Sequence, residues 1–346
     1  MEYMKRKKSR RSKKTNVKTL VLLFIIFELI FTTITGPFMV YYGPFKNVKT
    51  TVVGAAMTTF TLQWVVTSFL SDDKINQIMK EQAVETIVQV DDIDSGIRVE
   101  NKNDNSIERY DIQGKRYKGY VLVISDPTRI KVGYSSKLGE EGQLTSEIAK
   151  ASGAIAAVNG GGFADNVEGS LWTGTGANPA GIIMASGKTV FNDSEDENLK
   201  RDVVALTKAG KLLVGPHSIK EMEKNGVTEA VSFGPALIVN GKKTINNGDG
   251  GWGIAPRTAI AQRNDGSIIL LVIDGRQVNS LGATLREVQD LLYDEYGAYN
   301  ATNLDGGSSS TLFYNDEIIN SPCDSLGERS VPSIIYVENR ELDILN

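Results

Sequence analysis

Apolar positions along the chain follow two regimes. Residues 20–42, LVLLFIIFELIFTTITGPFMVYY, are apolar almost without interruption and carry one charge, Glu28. A run of that length crosses a bilayer as a helix. From about residue 110 the apolar positions instead come in short runs punctuated by Gly, Pro and Asp, the pattern of short strands joined by turns. Strands are predicted over 120–125, 129–134, 154–159, 180–184, 203–207, 236–240, 258–263, 267–274, 302–305, 310–314 and 333–337. GIIMASGKTV, VALTKAGKLLVG, ALIVNGKKT and IAQRNDGSIILLVID each read as a hairpin closed on a glycine turn.

Helical spacing is rarer. TSEIAKASGA predicts a short helix near 145–151, and DDKINQIMKEQAVETI another ahead of the strands. In TLREVQDLLYDEYGA the apolar stripe is Leu285, Val288, Leu291, Leu292 and Tyr296, with a capping box from Thr284 to Glu287 and a stop at Gly297. The fold class expected is therefore α+β: a mixed, largely antiparallel β-rich domain with few helices, preceded by an N-terminal transmembrane helix.

Residues 50–70, TTVVGAAMTTFTLQWVVTSFL, lack charge, but they hold seven Ser or Thr residues plus Gln63 and are followed by acidic SDD rather than a basic flank. An amphipathic segment lying at the membrane interface fits better than a second span. The basic run KRKKSRRSKK precedes the first span, as an inside-facing flank does. The apolar stretch is longer than that of most signal peptides and no clean small-residue cleavage site follows it. The expected organisation is a basic cytoplasmic tail (1–19), a transmembrane anchor (20–42), a membrane-proximal amphipathic segment and linker (43–109) and the β-rich domain (110–346). The protein is thus expected in the cell membrane as a single-pass protein with that domain extracellular.

The composition, 346 residues with 41% hydrophobic and 23% charged, is ordinary for a globular chain. The net charge of −4 conceals a basic N-terminus and an acidic remainder, so the basic run reads as a membrane flank and no nucleic-acid partner is expected. Cys323 is alone and His217 is the only histidine. An intrachain disulfide is excluded, and a Ser-His-Asp triad and a histidine-rich metal site are disfavoured. No metal site and no cofactor are expected. GDGGWG lacks the Gly-Lys-Ser/Thr of a phosphate loop, VNGGGF opens no helical βαβ unit, and DDIDSGIRVE lacks the spacing of a calcium loop.

The chemistry lies in a recurrence. AIAAVNGGGFAD runs apolar to Asn159 and then Gly160, IILLVIDGRQ to Asp274 and then Gly275 and Arg276, and ATNLDGGSSS to Asp305 and then Gly306 and Gly307. Each time a strand delivers one polar side chain, and glycine lets the backbone turn or approach closely. Brought together, these ends would form a cleft with two carboxylates, an amide and backbone N–H groups suited to an anion. Separately, each has a plainer reading: Asp-Gly is a common turn, Asn before glycine tolerates positive φ, and a capping box accounts for Glu287. Arg257, in GIAPRTAIAQ, is either a surface ion-pair residue or a guanidinium fork for phosphate or carboxylate. Arg276 and Arg329 offer the same chemistry in weaker contexts, and SFGPALIVNGK adds a small-residue turn at Ser232 and Gly234.

In order, AAVNGGGF, NPAGIIMASGK, SFGPALIVNGK, APRTAIAQ, LLVIDGRQVNSLGATLREVQDLL, ATNLDGGSSSTL and ERSVPSIIYV resemble the phosphodiester glycosidase family, over roughly residues 110–340. The family includes the animal enzyme that uncovers mannose 6-phosphate and bacterial members linked to exopolysaccharide. The resemblance implies hydrolysis of a glycosyl-1-phosphodiester, releasing the sugar and leaving a phosphate monoester. It matches Arg257, Thr258, Asp274, Thr284, Glu287, Asp305, Gly306, Gly307, Ser309 and Arg329. Two departures are Gly161 and Gly162 before Phe163, and Ser308 where a third glycine is usual. Under this reading Asp305, Asp274 and Glu287 are the candidate catalytic acids. Asn159, Gly160, Gly234, Arg257, Thr258, Gly306, Gly307, Ser309 and Arg329 would bind substrate, Arg257 and the Gly306–Gly307 backbone holding phosphate. The alternatives are a non-catalytic carbohydrate-binding or exopolysaccharide assembly protein and, more weakly, a metal-dependent phosphodiesterase.

Overall fold

A computed structural model describes residues 16–58, 62–89, 96–164 and 175–340. The basic run, the start of DDIDSGIRVE and three residues of the 50–70 segment lie outside the described residues.

The N-terminal part is helical: α1 (Val17–Tyr42), α2 (Lys46–Met57), α3 (Trp64–Thr67) and α4 (Asp72–Glu81). Among the described residues α1 is the one helix long and apolar enough to cross a membrane, and its side chains stay exposed along nearly its whole length. Only its last turn packs: Tyr41 joins Val53, Ala56, Val66, Leu70, Ile75 and Ile78 in a small apolar cluster. In α4, Asp72 and Asp73 sit in the first turn and Lys80 in the last, charges that suit the helix dipole.

The segment expected to lie along the membrane surface is instead docked on the β-rich body. Thr51 of α2 donates to the Asp249 carboxylate at 3.0 Å. Gly54 approaches the Gly251 carbonyl so closely that a Cβ would lie 2.5 Å from its oxygen. The stretch expected as a linker is likewise seated: the Glu85 N–H donates to the Thr244 carbonyl at 3.0 Å, and the Gln89 side chain accepts from the Val214 N–H at 2.8 Å. The expected boundary at 110 falls inside a strand, Ile107–Gln113.

The body is built on three antiparallel sheets. The largest has seven strands, in the order Ile107–Gln113, Lys118–Ile124, Ile268–Ile273, Arg257–Arg263, Ala298–Leu304, Ala236–Val239 and Lys242–Lys243. One five-stranded sheet runs Leu212–His217, Arg201–Thr207, Val227–Ser232, Ile182–Ala185 and Lys188–Asn192. The other runs Glu317–Ile318, Leu312–Tyr314, Ala154–Asn159, Ser333–Glu338 and Ile130–Tyr134.

Strand alternation sorts the side chains. Ile268, Leu270 and Val272 face a core shared by all three sheets, with Val204 and Val231 from the second and Val158 and Ile335 from the third. Ile269, Leu271 and Ile273 face the other way, onto Leu285, Val288 and Leu292 of the helical stretch Leu285–Glu295. Because strand Ile268–Ile273 is buried on both faces, its sequence is apolar throughout rather than alternating. The two smaller sheets are covered in the same manner. α5 (Thr145–Ala151) places Ile148 on Ala157, Phe313 and Ile334, and α6 (Ile219–Lys224) places Met222 with Val203 and Ala205. The last helix, α7 (Leu285–Asp290), starts with the expected capping box at Thr284 and Glu287 and runs on as a π turn over Leu291–Glu295.

Candidate active site

Register brings the polar strand ends together. Arg257 pairs with Ile273 and Thr258 with Leu304, so Arg257, Asp274 and Asp305 lie together at one end of three adjacent inner strands of the seven-stranded sheet. The third sheet delivers Asn159 to the same place. Its buried amide nitrogen donates to the Asp305 carbonyl at 2.6 Å. Its oxygen accepts from the Thr258 hydroxyl at 2.8 Å and the Thr311 N–H at 3.2 Å. Gly160 completes the stitch, accepting from the Asp305 N–H at 3.3 Å and donating to the Ser333 carbonyl at 2.9 Å. Asn159, Gly160 and Thr258, expected to bind substrate, thus position the Asp305 backbone through groups already satisfied by protein.

The glycines are required by close approach. A Cβ on Gly275 would stand 2.6 Å from the Pro256 nitrogen, and one on Gly306 2.9 Å from the Pro256 oxygen. Gly307 has φ +64°, and its N–H donates to the Pro256 carbonyl at 3.0 Å. That bond corrects one expectation: the Gly307 N–H is spent inside the fold and is not available to a phosphate.

A cavity of about 260 Å³ opens at this end. Its floor is Asp305, Gly306, Gly307, Arg257 and Arg276, with Trp252, Ile254 and Ala255 beside them. The opposing wall comes from the N-terminal region, through Ala55 and Thr58 of the α2 end and Leu62. This volume lies just below the usual range of small-molecule sites, about 300–1,000 Å³, and suits a sugar phosphate better than a polymer segment.

The two arginines have different employment. Arg257 is buried, with Nε donating to the Ala283 carbonyl at 3.0 Å and one terminal nitrogen to the Trp252 and Gly253 carbonyls at 3.0 and 2.7 Å. Burial, and secondly the charge of Arg276, push its pKa down to about 10, which leaves it charged at neutral pH. It fixes the loop that carries Trp252, and much of the expected phosphate grip is consumed in doing so. Arg276 is exposed, takes the left-handed conformation at φ +57°, and lays its guanidinium over Gly307. It is the more available cation of the cavity, although its context in the sequence, an Asp-Gly-Arg turn, ranked it below Arg257.

The carboxylates separate in the same way. Asp305 lines the cavity. Asp274, one residue past its strand, turns inward: its carboxylate accepts from the Asn320 amide at 3.1 Å and the Ser321 N–H at 2.9 Å. Burial pushes its carboxyl above the ordinary aspartate range, opposed by those two donors and by Lys118. Glu287 accepts from the Thr284 N–H and hydroxyl at 2.8 and 3.0 Å and pairs with Arg116 at 2.8 Å. Neither Asp274 nor Glu287 lines the cavity, so the geometry groups one of the three candidate acids with the glycine turn and gives the other two structural partners.

The remaining candidates surround this centre. The Ser309 N–H donates to the Gly306 carbonyl at 3.2 Å, and the residue is buried in the short turn Gly307–Ser309. Arg329 donates to the Ser308 hydroxyl at 3.3 Å and stacks over Phe163 at 4.8 Å. Gly234 lines a neighbouring cavity of about 380 Å³ on the other side of Trp252, with Phe233, Gly250 and Met79. Among the described residues no three His, Cys, Asp or Glu side chains are gathered as a metal would need.

Comparison with known proteins gives the family of the domain that carries this cavity. The sequence profile of the phosphodiester glycosidase family matches residues 152–338. Among curated proteins, the bovine N-acetylglucosamine-1-phosphodiester alpha-N-acetylglucosaminidase is 28% identical over 195 residues, covering 51% of this chain and 34% of the bovine one. An uncharacterized SPbeta prophage-derived protein of Bacillus subtilis, YomE, is 41% identical over 82 residues, covering 24% of this chain and 12% of its own. The chain therefore spans a third or less of the length of these relatives. The solved catalytic domain of the zebrafish N-acetylglucosamine-1-phosphodiester alpha-N-acetylglucosaminidase, described as auto-inhibited by its pro-peptide, superposes with a TM-score of 0.56 at 25% identity. That match covers 69% of this chain and 86% of the zebrafish one.

Proposed function

The chain belongs to the phosphodiester glycosidase family, and from that premise we propose that it is a membrane-anchored hydrolase that cleaves the sugar from a glycosyl-1-phosphodiester of the cell envelope. The observation that carries this reading is that Asp305 and Arg276 line one cavity, beside a glycine turn.

The bond broken is that between the anomeric carbon and the phosphate oxygen. Water supplies the new oxygen at carbon 1. Its proton passes to the Asp305 carboxylate or, if that carboxylate attacks first, to solvent when the ester is hydrolysed. The phosphate leaves as a monoester and needs no proton from the protein, because it is already a stable anion. Arg276, with the buried charge of Arg257 behind it, stabilises the negative charge that gathers on the departing oxygen. Arg329, which donates to the Ser308 hydroxyl next to the glycine turn, contributes a second cation near the sugar or the other phosphate substituent. α1 holds the enzyme in the membrane, and the basic flank before it places the body outside the cell.

The test uses the full-length chain, since α2 and Leu62 form part of the cavity wall. It is incubated in detergent with UDP-N-acetylglucosamine and a panel of methyl diesters of sugar 1-phosphates, with and without EDTA, and products are read by mass spectrometry. Free sugar and a phosphate monoester, formed with EDTA present and absent with Asp305→Asn, are the expected result. Binding of these diesters without turnover would favour the carbohydrate-binding alternative.

A further inference from the structure

The cavity wall and the membrane helix are parts of one unit. The Tyr41 hydroxyl, in the last turn of α1, donates to the Val65 carbonyl at 2.7 Å, three residues beyond Leu62, which lines the cavity. Tyr41 also stacks on Phe69 at 5.1 Å. The second connection is α2, whose 12 residues leave the end of α1 and reach the cavity at Ala55 and Thr58. At ~1.5 Å per residue that helix spans roughly 18 Å, so the mouth of the cavity is held within about one short helix of the bilayer.

The surface around the mouth has the composition of a membrane contact. Tyr42, Phe45, Leu62 and Trp64 are all exposed where the chain leaves α1 and approaches the cavity. Aromatic residues in such a place sit at the headgroup level. The turn that carries Arg276 ends in fully exposed Val278 and half-exposed Leu281. The adjoining loop, tied to that turn by the Gln277 side chain donating to the Ser321 carbonyl at 2.7 Å, presents an almost fully exposed Leu326. Two apolar loop tips tied to the turn that carries Arg276 fit contact with a lipid surface.

We propose that the substrate is a lipid-linked sugar, a glycosyl phosphate whose second ester is a long isoprenoid alcohol, drawn from the bilayer past Leu62 and the Val278 and Leu326 loop tips into the cavity. This rests on the glycosidase reading above and names its substrate class. Hydrolysis breaks the bond from the anomeric carbon to the phosphate oxygen, adds water to give the free sugar, and leaves the isoprenoid phosphate in the membrane. The apolar rim contacts the lipid chain or bilayer, and the polar floor of Asp305 and Arg276 takes the only hydrophilic part of such a molecule. A water-soluble polymer would gain nothing from an apolar rim held beside the bilayer.

The experiment compares two diesters of the same sugar phosphate, one with a long polyprenol and one with methanol, for the full-length enzyme in nanodiscs. Confinement to the same membrane is expected to raise kcat/KM for the polyprenyl diester on the order of 100-fold over the methyl diester. The double variant Val278→Glu, Leu326→Glu is expected to abolish most of that preference while hydrolysing the methyl diester at the original rate. Equal kcat/KM for the two diesters, or a double variant that keeps the preference or slows both substrates alike, overturns the lipid-linked substrate and leaves the glycosidase reading standing. Hydrolysis of neither diester overturns both.

Discussion

The turns after Ile273 and Leu304 begin alike, with an apolar strand, then aspartate, then glycine, and they end on opposite duties. After Leu304 the aspartate lines the cavity while the residues behind it make the turn. After Ile273 the aspartate is buried against Asn320 and Ser321, and it is the arginine two residues on that reaches the cavity. A dipeptide common to turns thus supplies the acid in one place and the support for a cation in the other. What separates them is the neighbour: Asp274 meets donors from the loop at 320–321, whereas the Asp305 backbone is clamped by Asn159 and Gly160, which hold the residue at the cavity edge.

The sharpest way to break this comparison is Asp305→Asn, expected to slow sugar release by roughly 10³-fold, since a positioned acid or base contributes about 10²–10⁴. Far-UV circular dichroism should match that of the parent chain. Arg276→Ala should follow with a loss of roughly 100-fold in kcat/KM, comparable to removal of one donor to a developing anion, and Arg276→Lys should recover part of it. Asp305→Asn near wild type together with a large loss from Asp274→Asn would exchange the roles assigned to the two aspartates. Asn159→Ala leaves buried groups on Thr258, Thr311 and Asp305 without their partner, and a stability loss of about 3 kcal/mol is expected in denaturant titration.

Asp274→Asn is the quiet member of the series. The amide oxygen still accepts from Ser321 and Asn320, so activity should stay within about twofold and stability at neutral pH within ~1 kcal/mol. The pH dependence carries the signature. Burial raises the Asp274 carboxyl above its unfolded value, so the folded chain holds that proton more tightly. Its contribution to stability therefore declines as pH rises from the ordinary aspartate range through the raised value, and the asparagine variant should lose that slope. Glu287→Gln should matter least for turnover, because its partners are a helix cap and a half-exposed arginine.

Strands whose apolar side chains fill the shared core were legible in the sequence, Ile268–Ile273 most clearly. Two others were harder to place. Val227–Ser232 was missed because Glu229 interrupts it, yet that carboxylate is buried and accepts from the Val132 N–H at 3.0 Å. Ile107–Gln113 reads from sequence as part of a linker with short strands, because it is an edge strand whose side chains are mostly solvated. Within the site, the convergence of Asn159 and Asp305 could be read from the strand–polar–glycine recurrence. The division of labour could not, because it depends on which carbonyls surround Arg257 and which donors reach Asp274. Least legible was the role of residues 46–62: a moderately polar segment gives the same pattern whether its apolar side meets lipid or another part of the chain.

Asn159 joins parts of the polypeptide that are synthesised far apart: Thr258 lies 99 residues later, Asp305 146 and Thr311 152. Closing loops of that size is entropically slow, and contacts so distant form late in folding. The cavity edge is therefore among the last features the chain can acquire, and no shortened or half-folded product carries a formed acid at the Asp305 position. The contact that seats Asp305 is made only when the third sheet has closed on the first.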